Sequence, residues 1–545
     1  MAEPVQPSRA RYRFSPLERR GVVAGWRGGQ IGAVAGGMVA AVLALRSTPT
    51  VAGVVAAVAL VGSAVGLAFW PIQGRTGEQW LPLLARWTWA RLTRAGRTLA
   101  PGPRAGHLST VALDGTGFTP LRAAHDRRPG RGRAGPFDHL EVTGAAFGPE
   151  PMASAMGMVV DRTARSATAV LAVRGHSFAL LGPDEQDVRI AAWARVLAAL
   201  AREGTEVHRV QWTESCLPDD GTGVLRHWTD HAVLGPGSPA GRSYRSLVDE
   251  SAPVTRRHQV LVALTVSSSQ SSRSIRAAGG GRAGIGAVLV REVLAIERAL
   301  DAADITVDGV LGPGALRRVI GEAFAVSGRS GGELTGAGEP DDVGTAGHRD
   351  IAGYLGEAGD GGDVGPGTAS SAGGTSWPWP MAVESHWDAV RTDGTWHATY
   401  WIAEWPRVDV TPDFLGPLLF SPLRRTITVT MEPVSPNRAA RQVAQARTAD
   451  IADGEFRRRG GFLVTARHSR ERESVEARDL ELADGHAQYR FTGYVTVTAD
   501  TRAVLADACA SVEQAAGQAR VELRQLYGEQ EVAFTCALPL GRGLA

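Results

Sequence analysis

Two uncharged apolar stretches near the amino terminus constrain the fold of this chain more than any other feature. No charged residue occurs from Gly28 to Leu45 or from Ser47 to Gly74, and Arg46 alone separates the two stretches. Each stretch reaches the roughly 20 apolar residues that a helix needs to cross about 30 Å of hydrocarbon. The sequence therefore predicts a transmembrane helical hairpin over residues 28–74.

Small residues recur at helical spacing in both stretches, and such residues let two membrane helices approach closely. Arginines flank the hairpin on both sides, so the positive-inside rule predicts two cytoplasmic termini in the inner (plasma) membrane. A cleaved signal peptide is disfavoured because a second apolar stretch follows within a few residues. The residues assigned to the transmembrane anchor are Gly32, Gly36, Ala40, Gly53, Ala57 and Trp70.

A segment rich in Trp and Arg follows the hairpin. Its pattern is typical of an amphipathic helix at the inner membrane surface, with indoles in the headgroup zone and guanidinium groups near anionic lipid. The pattern also fits a juxtamembrane helix packed on protein, and amphipathicity alone does not decide between the two partners. The residues assigned to the membrane interface are Trp80, Trp87, Trp89, Arg86 and Arg91.

Residue composition excludes several classes of enzyme. All 58 residues in the Lys+Arg count are arginine. The sequence therefore contains no P-loop lysine, no Schiff-base lysine and no lysine general base. The three cysteines are widely spaced and odd in number, so they predict neither a disulfide framework nor a zinc cluster.

Composition shifts divide the chain into an anchor and two soluble units, which predicts a membrane-anchored α+β fold. Strand-helix-strand order recurs in both units and favours α/β modules of the split-βαβ, ferredoxin-like type. Near the C terminus, the pattern predicts a strand from Glu531 to Leu538. The predicted segments are 1–27 (cytoplasmic N-terminal segment), 28–74 (hairpin), 75–135 (amphipathic helix and connector), 136–326 (first unit), 327–376 (Gly-rich flexible linker) and 377–545 (second unit).

Three motifs outside the anchor admit a binding role, and each has a simpler interpretation. Gly279 to Gly284 fits G-x-G-x-x-G, but a Ser-rich tract separates it from the preceding strand, so a flexible loop is favoured over a phosphate site. His227, Asp230 and His231 offer only two plausible ligands for a metal, and surface histidines are favoured. The Arg-rich residues 457–478 could contact nucleic acid, but interleaved acids favour a solvated helical pair. We therefore assign no catalytic, cofactor-binding or metal-binding residue.

Two parts of the chain resemble components of bacterial secretion systems. The N-terminal residues Tyr12-Arg13-Phe14, Glu18-Arg19-Arg20-Gly21 and Trp26-Arg27-Gly28-Gly29-Gln30, followed at once by the hairpin, resemble the small PrgI-type membrane component of conjugative and type IV secretion systems. The C-terminal unit is similar to the N-terminal, non-hydrolytic part of the CagE/TrbE/VirB transporter ATPases. The features that carry this second resemblance are Tyr400-Trp401-Ile402-Ala403-Glu404-Trp405-Pro406, Thr428-Val429-Thr430-Met431-Glu432-Pro433, the helical region from Arg438, and Phe534-Thr535-Cys536-Ala537-Leu538-Pro539-Leu540-Gly541.

The whole layout is similar to an actinobacterial family of integral membrane proteins that accompanies such transfer modules. In the ATPases the nucleotide-binding domain follows the Leu538 to Gly541 position, whereas this sequence ends at Ala545, so the resemblance implies that the P-loop ATPase is a separate chain. It implies a non-catalytic scaffold of an oligomeric secretion complex that docks this ATPase. A type VII secretion membrane component and a membrane-tethered nucleotide-binding protein are the alternatives. The residues expected to dock the partner are Tyr400, Trp401, Trp405, Pro406, Arg441 and Arg458.

Overall fold

The computed structural model describes Phe14 and residues 28–72, 75–93, 97–99, 136–147, 154–175, 178–219, 222–232, 235, 237–251, 255–324, 378–460 and 466–544. The connector predicted at residues 101–135 and the linker predicted at 327–376 lie outside these ranges. Most of the predicted N-terminal segment, residues 1–27, lies outside them as well.

Two apolar helices open the described chain. Helices α1 (Gly28–Ser47) and α2 (Val51–Phe69) have 20 and 19 residues, which is long and apolar enough to cross a membrane. They run antiparallel, since Gln30 near the start of α1 hydrogen-bonds to the carbonyl of Ala68 near the end of α2. A pair of two-residue strands, β1 (Pro71–Ile72) and β2 (Arg75–Thr76), leads into α3 (Gly77–Leu92). The predicted apolar hairpin and the helix after it are therefore confirmed as helices.

The first half of the soluble body alternates strands and helices. Its strands, after the short edge strand β3 (Arg97–Leu99), are β4 (Leu140–Phe147), β5 (Ser154–Asp161), β6 (Ser166–Arg174), β7 (Val207–Pro218), β8 (Arg256–Ser267) and β9 (Thr306–Val310). Its helices are α4 (Pro183–Leu200), α5 (Thr222–His231), α6 (Pro239–Ser251), α7 (Ser272–Ala277), α8 (Gly281–Asp301) and α9 (Pro313–Glu322). Helices α5 and α6 form a pair inserted between β7 and β8.

The second half follows the same plan. Its strands are β10 (Ala382–Ser385), β11 (Val390–Thr392), β12 (Thr395–Glu404), β13 (Arg425–Pro433), β14 (Tyr489–Ala499) and β15 (Glu522–Gln525). Its helices are α10 (Gly416–Leu419), α11 (Pro436–Gly460), α12 (Ala466–Ala483), α13 (Arg502–Gln518) and α14 (Gln530–Phe534). Here α11 and α12 are the inserted pair, between β13 and β14.

Both halves contribute to one continuous sheet. Within the described ranges, 13 strands pair in the order β3-β10-β11-β12-β14-β13-β7-β8-β6-β5-β4, with β15 on β12 and β9 on β6. The two halves meet where β13 pairs antiparallel with β7, from Arg425 opposite Cys216 to Met431 opposite Val210. The α+β class is confirmed. The finer assignment of each half to a ferredoxin-like unit stays a prediction.

The strand predicted from Glu531 to Leu538 is wrong, because these residues form α14 and a following 3-10 turn at Thr535–Ala537. The side chain of Gln530 accepts a hydrogen bond from the N–H of Thr399 at 2.8 Å and donates to its carbonyl at 3.1 Å. Phe534 then enters the core beside Phe324. The segment is apolar because it packs against the sheet. A short apolar run of this kind indicates burial but does not distinguish a strand from a helical turn.

The two faces of the sheet differ in polarity. One face is apolar and is covered by α4 and α8 in the first half and by α10 and α13 in the second. The opposite face carries buried threonines on neighbouring strands and is covered by α9 and the C-terminal segment, residues 534–543. The buried threonines of this face include Thr168, Thr213, Thr265, Thr399, Thr428, Thr430 and Thr496.

Side chains of the polar face bind the main chain of the C-terminal segment. Gln211, which is fully buried, donates to the carbonyls of Cys536 and Leu538 at 3.1 and 2.8 Å and accepts the N–H of Gly541 at 2.5 Å. Thr430, from the other half, donates to the carbonyl of Arg542 at 2.7 Å. Gly541 has φ +65°, and a Cβ there would overlap Thr265, so this position requires glycine.

A buried charge network crosses the junction between the halves. Arg425 on β13 is inaccessible to solvent, and its Nη1 lies 3.6 Å from Oε2 of Glu214 on β7. Its guanidinium also donates to the carbonyls of Leu418 and Leu419. The other oxygen of Glu214 lies 2.6 Å from Nδ1 of His258 on β8. Loss of one partner would leave a buried charge without its counter-charge.

We expect Arg425→Met to lower the free energy of unfolding by about 3–5 kcal/mol, because Glu214 then stays buried without the guanidinium beside its Oε2 and keeps only its contact with His258. The double variant Arg425→Met/Glu214→Leu should recover much of this loss. The measurement is urea unfolding of the detergent-solubilised full chain, followed by tryptophan fluorescence. Arg447→Met breaks an exposed pair with Asp479 and serves as the control, with an expected loss of at most about 1 kcal/mol. Equal losses in Arg425→Met and the control would contradict the assignment.

Candidate membrane anchor and docking surface

A seam of small side chains joins α1 and α2. On α2 the buried residues are spaced one or two helical turns apart and are Gly53, Ala57, Ala64 and Ala68. Gly37 of α1 lies so close to this seam that a Cβ on it would overlap the Cβ of Ala64. A Cβ on Gly53 would likewise overlap the carbonyl oxygen of Thr48. Small residues therefore set the separation of the two helices.

The structure assigns different roles to the six anchor residues predicted from sequence. Gly53 and Ala57 lie in the seam, and Ala40 is half-buried. Gly32 and Gly36 belong to α1 but are exposed with open space beside them, so they lie outside the seam. Trp70 is exposed just beyond the end of α2. The contacting glycine of α1 is Gly37, and choosing between adjacent glycines requires the rotational phase of the helix.

The first turn of α3 closes the open end of the hairpin. Gly77 fits against Leu67 of α2, where a Cβ would meet the Leu67 side chain and backbone. The carboxylate of Glu78 lies against Gly29 in the first turn of α1. The start of α1, the end of α2 and the start of α3 are thus held together.

The rest of α3 packs on the second half of the body. Trp80 stacks on Trp387 with ring centroids 5.9 Å apart, and Trp87 meets Trp387 edge-on at 5.0 Å. Tyr527 stacks on the same Trp387 at 6.2 Å. Beside these rings, Arg75 donates to Glu529 at 3.0 Å. We call these six residues the junction cluster.

The junction cluster corrects two of the five membrane-interface assignments. The indoles of Trp80 and Trp87 pack on protein, because both lie on the face of α3 that turns toward the sheet. Trp89 and Arg86 are exposed, and Arg91 is exposed while its guanidinium lies over the Trp87 ring at 4.9 Å. The sequence pattern fits both lipid and protein as partners of this helix. In the structure one face packs on protein, and the opposite face, which carries Trp89, is exposed.

The predicted docking residues also separate into core and surface. Tyr400 and Pro406 are buried, so their assignment as partner contacts is corrected. Tyr400 donates to Glu513 at 2.9 Å, and burial raises the pKa of its hydroxyl. Trp401 is half-buried and donates from Nε1 to Thr492 at 3.0 Å. Arg441 is exposed on α11, and the side chain of Arg458 lies outside the described part of the chain.

Trp405 belongs to an aromatic pocket on the second half. Its ring lies 5.5 Å from Phe491 and 6.4 Å from Phe414. Phe14, from the segment before α1, enters this pocket at 5.2 Å from Trp405 and 5.5 Å from Phe414. One predicted docking residue is therefore in contact with Phe14 of the same chain.

The α11–α12 pair, here called the helical arm, packs chiefly on itself. Its small core is formed by Val443, Ala446, Val475 and Leu482. Arg447 and Asp479 form a salt bridge across the pair at 2.5 Å. Ile451 and Leu480 are large apolar residues that remain 70% and 68% exposed. The arm thus presents both charged and apolar surface away from its own core.

The glycine loop serves as a helix cap. The N–H of Gly280 donates to the carbonyl of Ile275 at 2.8 Å, and the N–H of Gly279 donates to that of Arg276 at 3.2 Å. This is the Schellman pattern, in which glycine adopts the positive φ at the end of α7. Two amides that a phosphate would need are therefore already bonded. Arg282 of the loop instead binds the Glu141 carboxylate with two nitrogens, at 2.7 and 2.6 Å.

The contacts of the histidine pair and of the three cysteines do not favour metal binding or thiol chemistry. His227 and His231 stack on exposed α5 with centroids 4.3 Å apart. Among the described residues, no group of three or more His, Cys, Asp or Glu side chains is placed to hold a metal ion. Burial raises the pKa of the Cys536 thiol to about 11 and raises those of Cys216 and Cys509, which disfavours thiolate chemistry.

Comparison of the chain with protein-family models and with curated proteins gives no match. Function is therefore inferred from the contacts that the described residues make. These contacts provide an apolar hairpin, a packed junction between that hairpin and the body, and an arm with exposed apolar residues.

We expect Gly37→Leu to destabilise the helical hairpin, because the added side chain overlaps Ala64 and forces α1 and α2 apart. Overpacking of this kind costs about 1–3 kcal/mol. The measurement is the fraction of detergent-solubilised chain that stays monodisperse after stepwise heating. Gly36→Leu is the matched control, since Gly36 faces open space, and it should behave as the unmodified chain. A larger loss at position 36 than at 37 would refute the packing.

We expect the Glu141 pair to stabilise the fold only above acidic pH. Hydrogen bonds from Arg282, and then from Arg162, lower the pKa of Glu141 from 4.5 to about 2. A lowered folded-state pKa adds stability above pH 4.5 that is lost as the pH falls toward 2. Glu141→Gln should therefore flatten the fall of the urea midpoint over this window, and Arg282→Gln should flatten it in part, because Arg162 still donates to Glu141. Parallel pH profiles for both variants and the unmodified chain would contradict the pairing.

Proposed function

We propose that this chain is a non-catalytic membrane scaffold of a type IV secretion or conjugation-like system, and that it holds a separate P-loop transfer ATPase at the plasma membrane. The observation that carries the proposal is the junction cluster. Trp80 and Trp87 of α3 pack on Trp387 of the body. The body is therefore joined to the anchor by side-chain packing in addition to the covalent backbone. A partner docked on such a body has a fixed position relative to the anchor.

In this proposal α1 and α2 cross the bilayer and both ends of the hairpin lie in the cytoplasm. The pocket contact supports this arrangement, because Phe14 precedes the hairpin and Trp405 follows it, yet their rings are 5.2 Å apart. Two segments in contact lie on the same side of a membrane. The arginines that flank the hairpin favour the cytoplasmic side.

We further infer that each half of the body is a split-βαβ unit. The strand orders β9-β6-β8-β7 and β15-β12-β14-β13 are equivalent, and each half crosses between strands with helices on one face. The helical arm is then an insertion in the central hairpin of the second unit. An insertion that adds little to the core is free to serve a partner.

The helical arm is the proposed docking element for the ATPase. Ile451 and Leu480 are exposed on it, and Arg441 adds exposed positive charge near its start. Exposed apolar residues rimmed by charge are typical of a protein interface. The resemblance to transporter ATPases also begins its helical region at Arg438, so the arm lies within the part that resembles such machines.

The test is an affinity purification of the tagged full chain from gently solubilised native membranes, with co-purifying chains identified by mass spectrometry. We expect a P-loop ATPase of the transfer type to co-purify, and Ile451→Asp/Leu480→Asp to reduce its recovery at least about tenfold, which corresponds to about 1.4 kcal/mol of binding free energy. Val504→Asp, at a comparably exposed residue on α13, is the matched control.

Recovery of the ATPase that is unchanged in the arm variant would exclude the arm as the docking element. Recovery of type VII core components in its place would favour the type VII alternative. Absence of every secretion component from the purified material would refute the scaffold function.

A further inference from the structure

Helix α3 has two apolar faces, and the body covers only one of them. The inner face, with Trp80, Leu83, Trp87 and Ala90 at helical spacing, is half-buried. The outer face carries Leu81, Trp89 and Leu92, which are 54%, 69% and 82% exposed. An apolar stripe on each side of a helix indicates that it lies between two apolar partners.

The position of α3 identifies the second partner. Its first turn contacts the end of α2 through Gly77 and the start of α1 through Glu78, so the helix leaves the hairpin at its cytoplasmic end. Its 16 residues extend about 24 Å from that point at 1.5 Å per residue. Because the body packs on the inner face, the outer face points away from the body and starts from the end of the hairpin that α3 contacts.

The charge of α3 favours lipid over a second copy of the chain. Helix α3 carries Arg86 and Arg91 against one acid, Glu78 in its first turn, and Arg86 also lies 3.8 Å from Glu529 while remaining exposed. A two-fold interface between identical copies would bring these arginines toward one another. Anionic headgroups attract them, and tryptophan is enriched at the same depth of a bilayer.

We propose that α3 is a third membrane-contacting element, which lies in the anionic inner leaflet with Leu81, Trp89 and Leu92 in contact with lipid. This inference rests on the proposed anchoring of the hairpin. The junction cluster then presses the second half of the body against the membrane surface, with α3 as the layer between them. The lipid-facing tryptophan is Trp89, whereas Trp80 and Trp87 bind protein.

The test is the accessibility of spin labels in the full chain, reconstituted into nanodiscs that contain phosphatidylglycerol. Leu92→Cys is labelled on the outer face, and Leu81→Cys provides a second position if one variant folds poorly. The unmodified chain gives the background from native cysteines, of which Cys216 and Cys536 are buried and Cys509 is half-buried. Leu247→Cys, at an exposed leucine on α6, is the water-exposed control.

We expect labels at positions 92 and 81 to collide with dissolved oxygen several-fold more than with a water-soluble nickel chelate, and position 247 to show the reverse. Nickel accessibility at 92 and 81 equal to that at 247 would overturn the proposal. Mutual spin broadening with low access to both reagents would also overturn it, because it would place a second copy on this face.

A label at Val58→Cys, exposed on α2, separates this proposal from the anchoring on which it rests. Oxygen access at 58 together with nickel access at 92 and 81 leaves the anchor in place and refutes the lipid contact of α3. Nickel access at 58 refutes the anchoring itself, and the lipid contact of α3 with it.

Discussion

The antiparallel pairing of β7 with β13 is the interaction on which the rest of the body depends. It joins the outer strands of two halves that have the same order, so one sheet continues from β3 to β4. An unpaired strand edge in either half would expose a row of backbone donors and acceptors. The pairing of β7 with β13 satisfies the backbone groups of both edges. The buried ion pair of Arg425 with Glu214 joins the same two strands.

The anchor and the helical arm could be predicted from local sequence, because charge-free runs and interleaved charges act over neighbouring residues. The pairing of β7 with β13 could not be predicted in this way, because Cys216 and Arg425 are far apart in the chain. The alternation of apolar and polar residues in a strand does not identify the strand that pairs with it. The apolar run from Glu531 to Leu538 predicts a buried segment, but it fits a strand and a helical turn equally well.

The candidate site was predicted in outline and missed in rotational detail. The small-residue seam is present, and Gly37 of α1 contacts it, whereas the adjacent Gly36 faces open space. The tryptophans after the hairpin lie on an amphipathic helix, as the sequence pattern indicates. Only the structure shows that Trp80 and Trp87 pack on protein and that Trp89 is exposed. Tyr400 lies in a motif that resembles a family, and its role here is to fill the core. A helix period places a residue on a face but does not say what covers that face.

The seating of the C-terminal segment sets an order for the biosynthesis of this protein. Phe534, Leu538 and Leu540 complete the core that contains Leu140 and Val159 of the first half. The ribosome makes the apolar hairpin, residues 28–69, long before this segment, residues 534–543. Contacts this distant in sequence form late. The two apolar helices have therefore left the ribosome while the first half still lacks the part of its core that these late contacts complete.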